Sequence, residues 1–267
     1  MIVIFAHPRS GSNSLQEILE TNPKIKIIRE PFNPKSLRDW DPSLESKMNV
    51  KDLTTLTSYL RLLSKKYNGI KTLSSQLPTD LNKNLLINPN NKIIFLTRKN
   101  LLKAAISKII GEKTDIWHVD KNTINLYREY LRNFDIGNLD LKKVEENITQ
   151  FKKDITIYKR MLNENKINFF NIYHEDLFDK SVNERNKIKV IKDLFRFLGY
   201  DEKPNFEKIK EILDPKIKNM TYPEIYLKIK NIKEIENRLG NKENGLIFKK
   251  SGVSDNFKDN LKKIFSG

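Results

Sequence analysis

Short runs of β-branched and aromatic residues alternate along the chain with longer segments in which leucine and isoleucine recur at helical spacing. Short apolar runs predict buried strands, and apolar residues three or four positions apart predict helices with one buried face. The pattern predicts strands over residues 2–6, 25–29, 69–72, 92–97 and 168–173. It predicts helices over residues 12–21, 50–66, 100–110, 121–134, 141–165 and 183–198, the last of them ending at Gly199.

This alternation predicts an α/β fold with three layers, in which helices cover both faces of a central parallel sheet of about four or five strands. Extra helices are expected after Gly199, and the length suits a single domain over residues 1–267. In sheets of this kind, ligands bind beyond the carboxyl ends of the strands. We therefore expect the residues that follow Phe5, Ile28, Leu96 and Ile172 to converge on one site.

The chain is strongly basic, with 50 lysines and arginines against 34 acidic residues and a net charge of +16. Such an excess is typical of proteins that bind nucleic acid, an anionic surface or an anionic substrate, and a lysine-rich coding bias also produces it. The charge is spread along the sequence, without the interleaved aromatics of a nucleic-acid motif. Nucleic acid is therefore not an expected partner, whereas a multiply charged small molecule would suit the positive surface.

Cysteine is absent from the chain, and so is any apolar run near the length of about 18 residues that a membrane span needs. Without cysteine there is no disulfide, no thiolate metal site and no cysteine nucleophile, and a cytoplasmic location fits. No basic segment with a cleavage site precedes the first apolar run, so a signal peptide is not expected.

The segment between the first strand and the first helix carries candidate anion-binding groups. A glycine-bearing turn that enters a helix directs free backbone N–H groups at one point, where the helix dipole adds positive potential. The alternative is an ordinary turn capped by Ser12. With one glycine and no Gly-Lys pair, the segment is not a nucleoside-triphosphate loop. The candidate residues are Arg9, Ser10, Gly11, Ser12, Asn13 and Ser14.

A second strand and helix, over residues 92–97 and 100–110, carry another candidate pair. Arg98 follows the strand, and Ser107 lies about two turns into the helix. An arginine at a strand end and a serine on the next helix can both reach one phosphate, the arginine through its fork of donors. The alternative is a solvated arginine and an ordinary helical serine.

Together these motifs resemble those of sulfotransferases that use 3′-phosphoadenylyl sulfate (PAPS). The loop Pro-Arg-Ser-Gly-Ser-Asn-Ser, starting at Pro8, is similar to the 5′-phosphosulfate loop of that family, and Arg98 and Ser107 match its 3′-phosphate element. Their spacing of nine resembles the bacterial trehalose and lipo-oligosaccharide branch. Tyr173-His174-Glu175-Asp176-Leu177, the later Phe-Leu-Gly and the segment 248–258 also match in order, the last placing Lys250, Ser251 and Gly252 on a loop that closes over the 3′-phosphate.

The resemblance implies a P-loop NTPase-like fold and transfer of a sulfuryl group from PAPS to a hydroxyl, with adenosine 3′,5′-bisphosphate (PAP) as the product and no metal. The Arg–Ser spacing and Glu30 as the base favour a carbohydrate or glycolipid acceptor. Tyr173 joins the implied donor-binding residues, and Arg9 is implied as the cation that stabilises the leaving phosphate.

An acceptor hydroxyl needs a base. Carbohydrate-modifying relatives place a glutamate at the end of the second strand, where this chain has Glu30, and His7 beside the loop is the second candidate. Lys71, Trp117 and His118 are candidate acceptor contacts, with core packing the alternative for Trp117. His174 is expected to be structural.

Two other functions stay open at this stage. One is a P-loop kinase or NTPase, against which the missing Gly-Lys pair argues. The other is a non-catalytic basic protein that binds nucleic acid or an anionic polymer, against which the diffuse charge argues. The helical region 121–165 could be a lid or the surface of a homodimer.

Overall fold

The computed structural model describes residues 1–117, 123–200, 204–214 and 223–248. Five parallel strands form one sheet in the order β2-β3-β1-β4-β5. The strands are β1 (Ile2–Ala6), β2 (Ile27–Arg29), β3 (Gly69–Leu73), β4 (Lys92–Thr97) and β5 (Phe169–Tyr173). The chain therefore forms the expected parallel sheet, with the strand number at the upper end of the prediction.

Helices connect and flank these strands. They are α1 (Ser12–Leu19), α2 (Pro34–Trp40), α3 (Pro42–Glu45), α4 (Leu53–Leu63), α5 (Thr79–Ile87), α6 (Leu101–Thr114), α7 (Ile124–Asn133), α8 (Leu141–Glu164), α9 (His174–Phe178), α10 (Glu184–Leu198), α11 (Phe206–Leu213), α12 (Pro223–Leu227) and α13 (Ile232–Leu239). Six begin at an asparagine or aspartate whose side chain accepts a bond from a backbone N–H of the first turn, which fixes their starts locally. These capping residues are Asn33, Asp52, Asn100, Asp140, Asn183 and Asn205.

Apolar clusters cover both faces of the sheet. Ile2, Ile4 and Ala6 of β1 point to one side, where they pack with residues of α1, α10 and α11. Val3 and Phe5 point to the other side and pack with α4, α5 and α8. A further cluster joins α6, α7, α8 and α13 beyond the sheet. The three-layer α/β class predicted from the alternation is confirmed.

The strand register brings the carboxyl ends together. Ala6 pairs with both Leu73 and Leu96, and Thr97 pairs with Tyr173. Because parallel strands end at the same edge of a sheet, the residues that follow them meet there. The expected convergence is therefore confirmed at the level of the backbone.

The structure differs from the predicted elements in two ways. It contains α2, α3, α5 and α9, which the hydrophobic pattern did not predict, and β2 begins later than expected because residues 22–25 form a turn. The first residues of the predicted helix 121–134 lie outside the described part of the chain. Within the described residues, no helix is both long and apolar enough to cross a membrane.

Candidate active site

His7, the first residue after β1, ties the loop to the end of β4. Its Nε2 accepts a hydrogen bond from the backbone N–H of Arg98 (3.1 Å), so the ring proton is on Nδ1, which donates to the carbonyl of Pro8 (2.8 Å). Burial lowers the pKa of His7 to about 4, against the opposing effect of the Pro8 bond. Both ring nitrogens are thus engaged with the backbone, and the ring is neutral near pH 7.

The turn that follows is packed against α9. The Ser10 hydroxyl donates to the carbonyl of His7 (2.8 Å), and Nδ1 of His174 donates to the carbonyl of Ser10 (3.1 Å). Gly11 has a φ of 89°, and a Cβ at that position would lie 2.8 Å from Nδ1 of His174. Burial, followed by the charge of Arg98, holds the pKa of His174 well below its usual value. His174 therefore shapes the loop, as expected from the sequence.

Arg9 points its side chain across the loop to α6. Its Nε donates to Oγ of Ser107 (2.9 Å) and its Nη1 to the carbonyl of Trp117 (2.8 Å). Burial lowers the pKa of Arg9 to about 10, which leaves it charged near pH 7. The structure therefore brings together Arg9 and Ser107, two residues predicted to bind different phosphates. Ser12, Asn13 and Ser14 form the first turn of α1 beside them.

Arg98 stands at the carboxyl end of β4, between the loop that follows β1 and Glu175 of α9. Its Nη1 donates to the carbonyl of Arg9 (3.1 Å), whereas its buried Nε has no hydrogen-bond partner and lies 3.9 Å from Oε1 of Glu175. Glu175 accepts from the backbone N–H groups of Lys99 (2.8 Å) and Asn100 (2.9 Å). Glu175 therefore holds the two residues that lead into α6, and the same carboxylate lies beside Arg98.

Glu30 follows β2 in a left-handed conformation, with a φ of 48°. Lys71 Nζ donates to its Oε1, and Gln76 Nε2 (2.6 Å) and Asn33 Nδ2 (3.3 Å) donate to its Oε2. Burial alone would raise the pKa of Glu30, but the charge and hydrogen bond of Lys71 and the two amide bonds outweigh it, and the pKa is lowered. Burial lowers the pKa of Lys71 to about 8 against the attraction of Glu30.

The remaining predicted residues lie around this centre. Trp117 is 38% exposed, and its indole N–H donates to Asp115 (3.2 Å), which also pairs with Lys35 of α2 (3.1 Å). Tyr173 lies on the flank, with its ring 4.5 Å from Nζ of Lys99. Lys71 is 1% exposed and faces Glu30 rather than open space. His118, Lys250, Ser251 and Gly252 lie outside the described residues.

Sequence reasoning missed three groups of the site. Gln76 and Asn33 bind the Glu30 carboxylate, and Glu175 binds the backbone that leads into α6 beside Arg98. Glu175 lies within the quoted Tyr-His-Glu-Asp-Leu motif, so a signal for it existed. Gln76 comes after two serines in a loop without periodicity, and no local pattern distinguishes it from a surface residue.

The arrangement suits a compact polyanion beside a proton acceptor. Arg9, Arg98 and Lys71 are cations at one sheet edge, and guanidinium groups are well suited to bind phosphate through several N–H donors. Glu30 is the carboxylate held among them. The described residues contain no group of three or more His, Cys, Asp or Glu side chains that could hold a metal ion.

Comparisons with known proteins identify the family of the chain. The sequence model of the sulfotransferase domain family matches residues 1–263. Among solved structures, the chain is similar to mouse sulfotransferase SULT7A1 complexed with PAP, at 16% identity and a TM-score of 0.43, with 99% of this chain and 82% of that chain covered. No curated protein sequence matches. Because the family model spans nearly the whole sequence, the chain belongs to the sulfotransferase domain family.

Proposed function

We propose that the protein transfers the sulfuryl group of PAPS to a hydroxyl of a small-molecule or carbohydrate acceptor and releases PAP. The observation that carries the proposal is the pairing of two groups at one sheet edge. One is the guanidinium groups of Arg9 and Arg98 at the loop that follows β1, and the other is the carboxylate of Glu30, held by Lys71. Family membership supports the same reaction class.

The donor is proposed to lie along the carboxyl edge of β1 and β4. Arg9 and the loop of Ser10, Gly11, Ser12, Asn13 and Ser14 hold the 5′-phosphosulfate. Arg98 and Ser107 hold the 3′-phosphate, and Tyr173, Lys250, Ser251 and Gly252 complete the site. The hydrogen bond between Arg9 and Ser107 (2.9 Å) then breaks when the donor binds, because Arg9 contacts the 5′-phosphosulfate and Ser107 contacts the 3′-phosphate.

The proposed chemistry is an in-line displacement at sulfur. The acceptor oxygen bonds to sulfur, the bond from sulfur to the phosphate oxygen breaks, and the acceptor proton passes to Glu30. Negative charge that develops on the leaving phosphate is stabilised by Arg9. His7 is not used as the base, because both of its ring nitrogens are already bonded to the backbone. No metal is assigned in this scheme.

A carbohydrate acceptor is the narrower proposal. It is supported by the position of Glu30 and by the spacing of Arg98 and Ser107. Trp117, half-exposed beside Arg9, and the neighbouring His118 are proposed to contact the acceptor, whereas Lys71 acts through Glu30. A single domain, a cytoplasmic location and a homodimer stay predictions from the sequence.

The proposal is tested by incubating the protein with PAPS and a panel of sugars, glycolipids, phenols and alcohols while PAP release is measured. We expect one acceptor class to accelerate PAP release. Glu30→Gln should then lower kcat by about 10²- to 10⁴-fold, the usual contribution of a general base, while PAP still binds.

The matched control is Glu45→Gln, because Glu45 pairs with Arg38 on the surface at 2.6 Å. It should leave the rate within about twofold of wild type. Full activity of Glu30→Gln would exclude Glu30 as the base. A wild-type protein that neither binds PAP nor consumes PAPS would contradict the proposed function itself.

A further inference from the structure

The two oxygens of Glu30 are held in different ways. Oε1 receives the charged donor of Lys71, and Oε2 receives two neutral amide donors, Gln76 at 2.6 Å and Asn33 at 3.3 Å. The backbone N–H of Glu30 also donates to the carbonyl of Lys71 (2.7 Å), which fixes the residue to β3. The carboxylate is thus fixed in orientation as well as in position.

Gln76 is itself locked by the turn that ends β3. Its Oε1 accepts from the backbone N–H of Leu73 (3.0 Å) and from the hydroxyl of Thr72 (3.1 Å). A backbone N–H only donates, so the amide atom that faces it has to be oxygen, and the amide nitrogen is turned toward Glu30. Its own backbone N–H donates to the carbonyl of Leu73 (3.0 Å). The Gln76 amide is therefore a fixed donor with only one orientation.

The acceptor positions of the Glu30 carboxylate determine which oxygen can receive a proton. A carboxylate has about four acceptor positions, two on each oxygen. Gln76 and Asn33 use both positions on Oε2, and Lys71 uses one on Oε1. Within the described structure, the remaining position is on Oε1, beside Lys71.

We propose that Gln76 is a positioning residue of the reaction, which holds Oε2 of Glu30 so that the acceptor proton is taken by Oε1. This inference rests on the proposed function, since it gives Glu30 the role of base. Gln76 supplies geometry without charge, because a neutral amide orients the carboxylate but does not cancel its charge as a second lysine would. Because Lys71 supplies the positive charge and Gln76 only the orientation, Glu30 stays ionised and can still accept a proton.

The first test measures the titration of Glu30 directly and needs no acceptor. Protein labelled with ¹³C at glutamate carboxyl carbons is titrated by NMR, and the Glu30 signal is assigned by its absence in Glu30→Gln. Gln76→Met keeps the length of the side chain but removes the donor, so the Glu30 midpoint should rise by about one pH unit. Gln76→Glu should raise it further, because two carboxylates then share the site.

The matched control is Gln150→Met. Gln150 donates to the carboxylate of Asp154 at 2.7 Å on α8, so the same kind of bond is lost away from Glu30. Its Glu30 midpoint should equal that of wild type. With PAPS and the acceptor found above, Gln76→Met should lower kcat about tenfold, with the KM for PAPS within about twofold.

An unchanged Glu30 midpoint in Gln76→Met overturns the inference, as does a wild-type kcat in that variant. If Gln76→Met fails to fold, Gln76→Leu, which also removes the donor without adding a charge, decides the question by the same titration. A wild-type protein that binds no PAP contradicts the proposed function. PAP binding together with an unmoved titration contradicts only the role of Gln76.

Discussion

Two charged residues of the site, Arg9 and Glu30, hold backbone conformations that non-glycine residues rarely adopt, with φ values of 65° and 48°. Such conformations cost about 1–3 kcal/mol each and persist when neighbours over-determine them. The Arg9 carbonyl accepts from Arg98, and the Glu30 backbone N–H donates to Lys71. The strain therefore falls on the residues to which we assign the leaving-group charge and the base.

Gly11 combines a positive φ with a close approach to His174. Gly11→Ala should lower the free energy of unfolding by about 2 kcal/mol or more and weaken PAP binding. A methyl group there meets His174 at 2.8 Å in addition to the strain of a φ of 89°. Urea unfolding and calorimetric titration with PAP measure the two effects.

Gly199→Ala is the control that distinguishes backbone strain from the steric clash expected at Gly11. Gly199 also has a positive φ, 78°, but a Cβ there meets nothing within 4 Å. It should cost about 1 kcal/mol and leave PAP affinity unchanged. Equal losses in the two variants would show that the contact between Gly11 and α9 contributes nothing.

The buried His7 predicts a pH dependence of stability. Its pKa is about 4 in the folded protein and near 6.5 when unfolded, so the unfolded chain binds more protons between these values. The free energy of unfolding should therefore fall as the pH drops from 6.5 to 4, with a contribution from His7 of up to about 1.4 kcal/mol per pH unit. His7→Asn should flatten this slope in urea unfolding at several pH values. An identical slope would mean that the pKa of His7 is the same in the folded and unfolded states.

At the scale of elements, hydrophobic periodicity predicted the strands and long helices because these bury continuous faces. β1 and β4 have the predicted bounds, and α8 differs only at its last residue. The short helices α2 and α3 were missed because each buries a single leucine, Leu37 in α2 and Leu44 in α3. Local capping starts them instead, through prolines or Asn33.

The candidate site was predictable where it follows from the strand ends. Arg98 and Glu30 come directly after strands, so parallel topology alone places them at the same edge of the sheet. Gln76 was not predictable, because its position depends on how the turn after β3 folds back onto Glu30 across a separation of 46 residues. The bond between Arg9 and Ser107 likewise depends on tertiary packing of the loop against α6.

Glu175 of α9 holds the backbone that leads into α6. Glu175→Gln should lower the free energy of unfolding by about 1–3 kcal/mol, because one of the two bonds from Lys99 and Asn100 to a charged acceptor is lost. It should also weaken PAP binding by roughly tenfold, since the neighbour that orients Arg98 changes. Urea unfolding and calorimetry test both.

Glu207→Gln is the control for that junction, because Glu207 is 86% exposed and pairs only with Lys210 among the described residues. Its effect on stability should be within about 0.5 kcal/mol. If Glu175→Gln lowered the free energy of unfolding no more than Glu207→Gln does, α9 would not position the start of α6.

In the molecule as a whole, cationic side chains lie at both ends of the strands. A cleft at the amino ends of the strands is lined by lysines, among them Lys26, Lys65 and Lys92. The C-termini of the surrounding helices point to that edge in a fold of this kind, and lysines there offset their negative dipole ends. The carboxyl edge instead carries Arg9, Arg98 and Lys71.

These two edges should contribute unequally to ligand binding. A strand of five residues spans about 16 Å, twice the Debye length of about 8 Å at physiological salt. The double variant Lys26→Gln and Lys65→Gln removes two charges but should leave PAP affinity within about twofold, whereas Arg98→Ala removes one charge and should abolish binding. A large loss in the double variant would make net charge, rather than the site, the source of affinity.

The central claim, that this sulfotransferase-family chain uses PAPS, is tested most directly by thermal unfolding with PAP, ATP and a DNA oligonucleotide, each with and without magnesium. PAP should stabilise the protein equally in both conditions, by about 2.7 kcal/mol at a hundred times Kd, and Arg98→Ala should remove the effect. Stabilisation by ATP with magnesium and not by PAP would contradict the account.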